Sequence, residues 1–540
     1  MKNRYIKLFA AIALMFAASS CNDFLDTLPD NRTELDSDDK IRNLLVSAYP
    51  SSTYGLYASY MSDDWDDVGE SFSIPYDRDA SDFWHWLDDK EEANDSPKFT
   101  WDAHYRAIAN ANQALKAIED LGNPSRLDAL RGEAYMCRAF AHFKLVNLFC
   151  QHFTEEFGDT DMGIPYMEQP ETEVNPYYDR GTVKQVYEKI DADIQRGLPL
   201  IDDTIYKVPK YHFNRLAALG FAAEFYLYYM VEGSDHLDKA IEYASAVLGN
   251  NPESMMRDVS TFDELPMVEN GAPKFRDYVS TARSTNLLLI ATNSAAGLLG
   301  PYSFNDRFIH SEKVARTEGI ASASILWNVD PSFSQNCFYL YAYSMTVKGA
   351  PRKYLRMTVP YLFEFTDPVA LTGYIHSVQI AVSGDKTLLN RAEAHVLKED
   401  YASATADIMH WVRMRIRPAY VPNKSDAQIE SDITNWYGGI AEYTSQNPTP
   451  RKAMFPGFPM NDKQKAFMNA ILHLRRIEFW GEGERWFDVK RYGIPITRRV
   501  VTSLESDGTT ETDVLVPRDN RRAIQIPMGV IAAGMTPNER

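Results

Sequence analysis

Apolar residues recur every three to four positions along most of this chain, which is the spacing of one face of an α-helix. The clearest example covers residues 101–121, where one face carries Tyr105, Ile108, Ala109, Asn112, Leu115 and Ile118. Gly122-Asn123-Pro124 then ends the helix. The same spacing predicts a first helix beginning within residues 40–62, and further helices over 127–149, 182–200, 214–231, 237–248, 387–416 and 463–480. The pattern therefore predicts a mostly α protein.

The segment 127–149 has two apolar stripes on nearly opposite sides. A helix that is apolar on two faces packs between neighbours, as in a stack of helix pairs. Residues 214–231 and 237–248 form two helices over about 35 residues, with Ala near their crossing, and so resemble a degenerate tetratricopeptide unit. Residues 387–416 repeat this arrangement, with a break at Glu399-Asp400. We therefore expect a tetratricopeptide-like scaffold of helix pairs.

Three stretches lack this period: 63–100, 251–380 and 421–462. Residues 251–380 are rich in Pro, Gly, Ser and Thr, with short apolar runs, and predict a long irregular insertion that carries short strands. Tyr361 and Phe363 alternate like a buried strand and are predicted to be core. Binding residues usually lie in irregular insertions on a rigid scaffold. The insertion is therefore expected to face a ligand.

The first twenty residues are typical of a signal peptide. Lys2, Arg4 and Lys7 form a positive region, and the apolar run from Leu8 to Ala18 is shorter than the roughly 20 residues that span a bilayer. Small residues directly before Cys21 resemble a bacterial lipobox, which implies cleavage there and acylation of Cys21. A secretory signal followed by a chance cysteine is the alternative. Residues 22–39 are acidic and aperiodic, as expected of a tether.

The composition limits the partners and the chemistry. With 56 Lys+Arg against 75 Asp+Glu in 540 residues, the net charge of −19 argues against nucleic acid, whose binding requires a basic face. Aromatic residues make up 12% of the chain, and some are expected at the surface. Cys137, Cys150 and Cys337 are interpreted as buried thiols. No metal-ligand or cofactor motif is present, so no cofactor is predicted.

Four sequence motifs, which occur in the same order as in one known family, make the interpretation more specific. Residues 475–493, RRIEFWGEGERWFDVKRYG, resemble the C-terminal signature of the SusD/RagB family of Bacteroidetes nutrient-binding lipoproteins. Residues 105–115 and 132–149 match the family's first helix pair, 391–404 match the later pair, and 524–538 match its closing Ile-Pro segment. The extra Gly481-Glu482-Gly483 and an altered Pro-Asn order depart from the pattern. The resemblance covers essentially the whole chain.

The resemblance implies a SusD-like fold and a protein without enzymatic activity. The mature chain is expected on the exterior of the outer membrane, held in the bilayer through Cys21, where it binds oligosaccharide or polysaccharide and acts as the lid of a SusC-like TonB-dependent transporter. The expected organisation is a signal peptide (1–20), an anchor, tether and first helix (21–62), an N-terminal half (63–250), the insertion (251–380) and a C-terminal half (381–540). The signature side chains are expected to be structural, with paired charges and aromatic anchors at Glu478, Arg485, Trp486, Phe487, Asp488 and Arg491.

The ligand residues of the family lie in variable loops, so they are predicted from chemistry alone. Sugars are bound by aromatic faces that stack on their C–H face and by polar groups that bond their hydroxyls. Segments that mix the two supply the candidates Trp65, Tyr76, Trp84, Trp86, Tyr302, Asn305, Arg307, Trp327 and Asn328. The alternative is that each aromatic anchors an irregular segment onto the helices. A calcium loop at residues 64–69 fails the EF-hand pattern, although an irregular calcium site stays open.

Three other functions remain possible interpretations of the sequence. The ligand of the lid can be a peptide, which amides and charges would bind without the tryptophans. A surface glycoside hydrolase needs two carboxylates about 5–10 Å apart, which sequence alone does not test. A purely structural adaptor would bind the transporter and no glycan.

Overall fold

The computed structural model describes residues 35–72, 77–90, 92–172, 177–263, 276–294, 307–329, 337–339, 342–345, 352–356, 362–501 and 509–540. The α-helices in these ranges are α1 (Asp38–Leu45), α2 (Gly55–Met61), α3 (Asp77–Trp84), α4 (Pro97–Asp120), α5 (Asp128–Phe149), α6 (Val183–Gly197), α7 (Arg215–Tyr228), α8 (His236–Leu248), α9 (Ser260–Asp263), α10 (Glu312–Thr317), α11 (Gly384–Leu397), α12 (Tyr401–Arg415), α13 (Asp426–Gly439), α14 (Asp462–Phe479), α15 (Glu484–Arg491) and α16 (Met528–Ala532). The fold is mostly α, as predicted.

Neighbouring helices in the chain pack side by side. The pairs α4–α5, α5–α6, α7–α8, α11–α12 and α13–α14 all make extensive contacts, and α8 also packs on α11. Helix α5 is buried on both of its apolar stripes, including Leu145 and Val146, which confirms that it lies between other helices. The helix pairs therefore share one interior.

Side-chain caps fix several helix starts. The hydroxyl of Ser96 accepts from the Phe99 amide at the start of α4, and Thr182 and Gln185 form a capping box at α6. The predicted break between α11 and α12 falls at Glu399, which adopts a left-handed φ of 61°. These local signals explain why the helix bounds follow the sequence pattern closely.

In the described ranges, three small sheets lie between the helices. Their strands are β1 (Asp66–Asp67), β2 (Asn286–Thr292), β3 (Phe308–Ile309), β4 (Ala342–Met345), β5 (Lys353–Arg356), β6 (Leu362–Asp367), β7 (Thr372–Ser383), β8 (Ile496–Val501) and β9 (Thr509–Leu515). The strand orders are β3-β1-β8-β9, β2-β7-β6 and β4-β5. Strand β1 pairs antiparallel with β3 and parallel with β8. It therefore joins the early chain to the insertion and to the C-terminal half.

Two local predictions are corrected. Helix α13 lies within the stretch predicted to be irregular, since Ser425 and Gln428 form a capping box and Ile429 and Ile433 are buried one turn apart. Phe363 is 39% exposed and not core, because β6 is the outer strand of its sheet. Tyr361 lies outside the described residues. None of the helices in the described part of the chain combines the length and hydropathy that a membrane crossing requires.

Candidate functional site

The acidic segment 62–69 lies where three parts of the chain meet. Because β1 pairs with both β3 and β8, residues 66–67 are placed against 308–309 and against 500. Three predicted ligand residues from 63–100, together with Arg307, are thereby brought to one region. This region is the candidate site, and the structure separates it into a buried layer and an outer edge.

Tryptophans form the buried layer. The indole nitrogen of Trp84 donates to the carbonyl oxygen of Trp65 at 3.1 Å, and that of Trp86 donates to the carbonyl oxygen of Met61 at 2.8 Å. The ring of Trp84 lies 5.3 Å from that of Phe308. The Arg498 guanidinium carbon stands 4.7 Å and 4.0 Å from the Trp84 and Trp86 ring centroids, a cation–π arrangement. These contacts hold the irregular segment onto the sheet.

Trp327 lies in another part of the interior, and Asn328 beside it is half-buried. The indole nitrogen of Trp327 donates to the carbonyl oxygen of Ser322 at 2.8 Å, and its ring packs 5.2 Å from that of His473. The backbone carbonyl of Asn328 accepts from the Ser324 amide at 2.8 Å. The structure does not bring this pair together with the first group.

The burial of these side chains corrects the sequence prediction. Trp65, Trp84, Trp86 and Trp327 are 6%, 0%, 3% and 6% exposed, so none of them presents an open face on which a sugar ring could stack. Their burial agrees with the alternative interpretation, in which each aromatic side chain anchors its segment onto the helices. Trp84 ends helix α3, and the mixture of aromatic and polar residues around it did not indicate that its ring is buried.

Arg307 and Asp67 form the outer edge of the region. The guanidinium donates from Nε and Nη2 to the two carboxylate oxygens of Asp67 at 2.9 and 2.7 Å, a bidentate pair. The Arg307 side chain remains 15% exposed, and Asp67 also accepts from the Gly69 amide at 2.8 Å. Glu70 and Ser71 follow at the surface. Arg307 is thus a predicted ligand residue that the structure places at an accessible edge.

Beneath this edge lies a buried ionic network that the sequence did not indicate. Four carboxylates and four cations belong to it, namely Asp63, Asp64, Asp66, Glu318, Lys452, Arg476, Arg485 and Arg499. Each carboxylate contacts at least one cation, and the formal charges balance. Burial alone would make ionised groups unfavourable here, so the pairing is what keeps them stable.

The pKa values of the acids reflect this pairing. Burial disfavours the ionised form of Asp63, but Arg476, Arg485 and Lys452 hold its pKa well below its usual range. Burial likewise opposes ionisation of Glu318, yet Lys452, Arg476 and Arg499 lower its pKa to about 2. For Asp64, burial dominates and raises the pKa to about 6. The acids of this segment are therefore bound to cations of the protein, which explains why so many Asp residues stand beside the tryptophans.

The signature residues are paired across the interior. Glu478 accepts from Arg415 Nε at 2.7 Å, and Asp488 accepts from Arg475 Nε at 3.0 Å. Arg485 donates to Asp63 at 2.8 Å, and Arg491 donates to Glu393 at 2.5 Å. Trp486 and Phe487 are 0% and 2% exposed. The charges of α15 tie it to α11, α14 and the acidic segment, and Glu478 ties α14 to α12.

Some predicted residues are not placed. Cys21, Tyr76, Tyr302 and Asn305 lie outside the described residues. Within the described ranges, no group of three or more His, Cys, Asp or Glu side chains is arranged to hold a metal ion. Cys137, Cys150 and Cys337 are free and buried.

Two family models match this chain, one towards each end. The model described as "Starch-binding associating with outer membrane" matches residues 23–227, and the model described as "SusD family" matches residues 386–524. A curated relative, "SusD-like protein P2" of Formosa agariphila, is 29% identical over 172 residues, which is 31% of this chain and 30% of that relative. The match thus spans less than a third of the relative's length.

Solved structures with the same fold cover nearly the whole chain. A putative sugar binding protein from Bacteroides vulgatus has a TM-score of 0.63 at 17% identity, covering 94% of this chain and 99% of its own. A SusD-like carbohydrate binding protein from the same species has a TM-score of 0.60 at 16% identity, with 92% and 96% covered. A SusD superfamily protein from Bacteroides thetaiotaomicron has a TM-score of 0.59 at 18% identity, with 93% and 99% covered. At these identities the likeness shows the fold.

Proposed function

The chain belongs to the SusD/RagB family, and from that premise we propose that it is an outer-membrane lipoprotein that binds oligosaccharide or polysaccharide at the cell surface. In this proposal, Cys21 carries the acyl chains that hold the protein in the bilayer. The protein acts as the lid of a SusC-like TonB-dependent transporter and passes the glycan to it without cleaving it.

The single observation that carries the proposal is the pair of family matches at the two ends of one continuous fold. The residues between the two matches include the predicted insertion, 251–380, which contains the edge residue Arg307. A common helical scaffold with a distinct insertion is what a family needs to bind different ligands with one architecture. The division of the chain into a matched scaffold and an unmatched insertion supports a ligand site at the insertion and at Asp67, with which Arg307 is paired.

The Asp67–Arg307 edge has the chemistry to take part in such a site. A guanidinium fixed by a bidentate carboxylate presents donors in a defined direction, and donors of this kind bond sugar hydroxyls. Glu70 and Ser71 supply acceptors at the surface beside it. We assign ligand contact to Arg307 and leave the four buried tryptophans a supporting role.

Native gels containing different polysaccharides test the proposal, using residues 22–540 so that the lipid is absent. The double variant Asp67→Asn/Arg307→Gln removes both charges of this pair together, so neither charge is left facing an empty partner, and circular dichroism checks that the fold is retained. The control Lys424→Gln/Asp432→Asn removes an exposed pair whose atoms are 2.6 Å apart. We expect one polysaccharide to retard the wild type and the control, with no reducing sugar released, and to retard the double variant less.

Other outcomes would replace the proposal. Retardation by no glycan, together with heat released on adding mixed oligopeptides, would indicate peptide capture. Reducing ends released by the protein alone would indicate a hydrolase. Copurification with the transporter without binding any ligand would indicate an adaptor.

Anchoring and partnership need their own tests. Replacing Cys21 by Ser should move the protein from the membrane fraction to the soluble fraction, because acylation of that sulfur is lost. The acylated protein should be cleaved by protease added to whole cells and should copurify with a TonB-dependent transporter. Retention of the Cys21→Ser variant in the membrane fraction would contradict the assigned anchor.

A further inference from the structure

A second region combines an open cavity with an excess of positive charge. The cavity has a volume of about 600 Å³ and opens between the residues after α5, the loop 454–460, the end of α15 and the residues after β9. Five cationic side chains line it, Lys465, Lys490, Arg491, Arg518 and Arg522, against one carboxylate, Glu156. We call it the cationic cavity. In a chain whose net charge is −19, this local excess calls for an explanation.

Arg518 forms a bidentate pair with Asp161, and Arg491 is paired with Glu393. Two other cations of the cavity have no carboxylate partner in the described part of the chain. The ammonium of Lys490 donates to the backbone oxygens of Asn147 and Cys150 at 2.5 and 2.6 Å. The guanidinium of Arg522 donates to the backbone oxygens of Val489 and Ile494 at 2.8 and 2.7 Å. Burial lowers the pKa of Lys490 to about 7 and that of Arg522 to about 10. An anion in the cavity would offset the free-energy cost of keeping these buried groups charged.

Two lining side chains also hold polar atoms that no group in the described residues satisfies. His152 Nδ1 and Arg491 Nε are both buried and have no hydrogen-bond partner there. Arg491 is 5% exposed and donates to Glu393 through its terminal nitrogen only. Burial, with Arg491 and Lys490 nearby, lowers the pKa of His152 well below its usual value, so the ring is neutral and only one of its two nitrogens carries a proton. The Arg491 Nε–H is a buried donor without an acceptor, which is costly and favours an acceptor on a ligand.

The walls of the cavity are aromatic and firmly held. Phe455 is 56% exposed, and the Arg518 guanidinium stacks over the ring of Phe157 at 4.0 Å. The Phe455 amide donates to the Tyr492 carbonyl at 2.7 Å. Gly493 has φ of 54°, and a Cβ there would lie 2.3 Å from the Phe455 carbonyl oxygen, so only glycine permits this approach. The exposed ring of Phe455 on a fixed loop suits the C–H face of a sugar ring.

We propose that the cationic cavity binds an anionic saccharide, one whose ring carries a carboxylate or a sulfate group. The cations and the unsatisfied Arg491 Nε–H select the anion, and the exposed ring of Phe455 accepts the sugar ring. The volume lies within the range of about 300–1,000 Å³ usual for small-molecule sites. The choice of a sugar rests on the proposed function, while the choice of an anion rests on the cavity alone. This site is separate from the Asp67–Arg307 edge.

Calorimetric titration of residues 22–540 tests the inference with four probes: digalacturonate, galactose 6-sulfate, neutral lactose and inorganic phosphate. The variants are Phe455→Ala and Arg518→Gln, both at side chains that reach solvent. Lys424→Gln is the matched control, since it removes a cation that is 43% exposed away from the cavity. We expect an acidic sugar to bind at least tenfold more tightly than lactose. Each cavity variant should weaken binding about tenfold, Arg518→Gln through a lost charged contact and Phe455→Ala through a lost ring contact, and the control should not.

The titrations with different probes and variants distinguish the possible outcomes. Binding of only one acidic sugar supports the inference and identifies the anion as carboxylate or sulfate. Affinity for an acidic sugar that neither variant alters would overturn it, as would phosphate binding as tightly as the acidic sugars. If no neutral glycan binds but an acidic sugar binds through Phe455 and Arg518, the Asp67–Arg307 site fails and this inference stands. If the Asp67→Asn/Arg307→Gln variant loses neutral glycan and no acidic sugar binds the wild type, this inference alone fails.

Discussion

Replacing Arg476 by Met removes the cation that connects most of the buried ionic network. Its Nε donates to Asp64 at 2.7 Å and its Nη1 to Glu318 at 2.7 Å, while Nη2 donates to the backbone oxygen of Asp63. The side chain is 2% exposed. Met has a similar length and leaves little cavity, so the variant isolates the effect of charge. Four carboxylates would then face three cations.

The expected cost follows from this imbalance. Removing one partner of a buried ion pair costs about 3–5 kcal/mol, because the remaining charge is left without compensation. Removing one partner of an exposed pair costs about 0–1 kcal/mol. Lys116→Met is the matched control, since Lys116 is 44% exposed and lies 2.5 Å from Asp120. We expect the free energy of unfolding in urea to fall by about 3–5 kcal/mol for Arg476→Met and by less than about 1 kcal/mol for the control.

A pH series distinguishes charge from packing. Burial already raises the pKa of Asp64 to about 6, and losing Arg476 raises it further. When the pKa of an acid is higher in the folded state than in the unfolded state, its full contribution to the free energy of unfolding is present below the unfolded-state pKa. That contribution is lost as the pH rises through the folded-state pKa. The deficit of the variant should therefore grow between pH 5 and 8, by at most about 1.4 kcal/mol per pH unit. A deficit below about 1 kcal/mol, or one independent of pH, would refute the reasoning.

Three further predictions follow from burial. Trp84→Ala should lower the free energy of unfolding in urea by about 3–5 kcal/mol, because the ring is fully buried, whereas truncating the exposed Phe455 should change it little. Burial opposes ionisation of Glu318 and Glu484, but their cationic partners lower both pKa values to about 2. Unfolding followed by circular dichroism should therefore show stability being lost as the pH falls below about 4.5 towards 2. Burial raises the pKa values of Cys150 to about 11 and Cys337 to about 12, so a thiol reagent at pH 8 should not modify native 22–540 and should modify Cys137, Cys150 and Cys337 after denaturation. Rapid modification of the native protein would contradict their burial.

The helices were predictable because their signals are local. The apolar period, the Gly122-Asn123-Pro124 stop and the Glu399-Asp400 break each act within a few residues. Helix α13 had comparable signals in Ser425 and Gln428, but its Gly-rich end obscured them. The short strand β1 could not be predicted, since its partners β3 and β8 are distant in the chain.

The site was harder to predict because burial is not a property of residue type. A tryptophan among aspartates has the same sequence pattern whether it faces a sugar or a sheet. The partners of Asp63 and Asp64, namely Arg485 and Arg476, lie 422 and 412 residues away. Likewise, the cationic cavity draws its cations from α14, α15 and the residues after β9, and no single segment is basic.

The same separations set the order in which the chain can fold. While the ribosome is still making the C-terminal half, Asp63 and Asp64 have no guanidinium to receive them, and closing so long a loop is slow. The early helices can form, but until β8 and these arginines are made, the sheet around β1 is incomplete and the two acids stay hydrated. A nascent chain that stays open until its last helices emerge is a suitable substrate for export machinery that threads unfolded polypeptide.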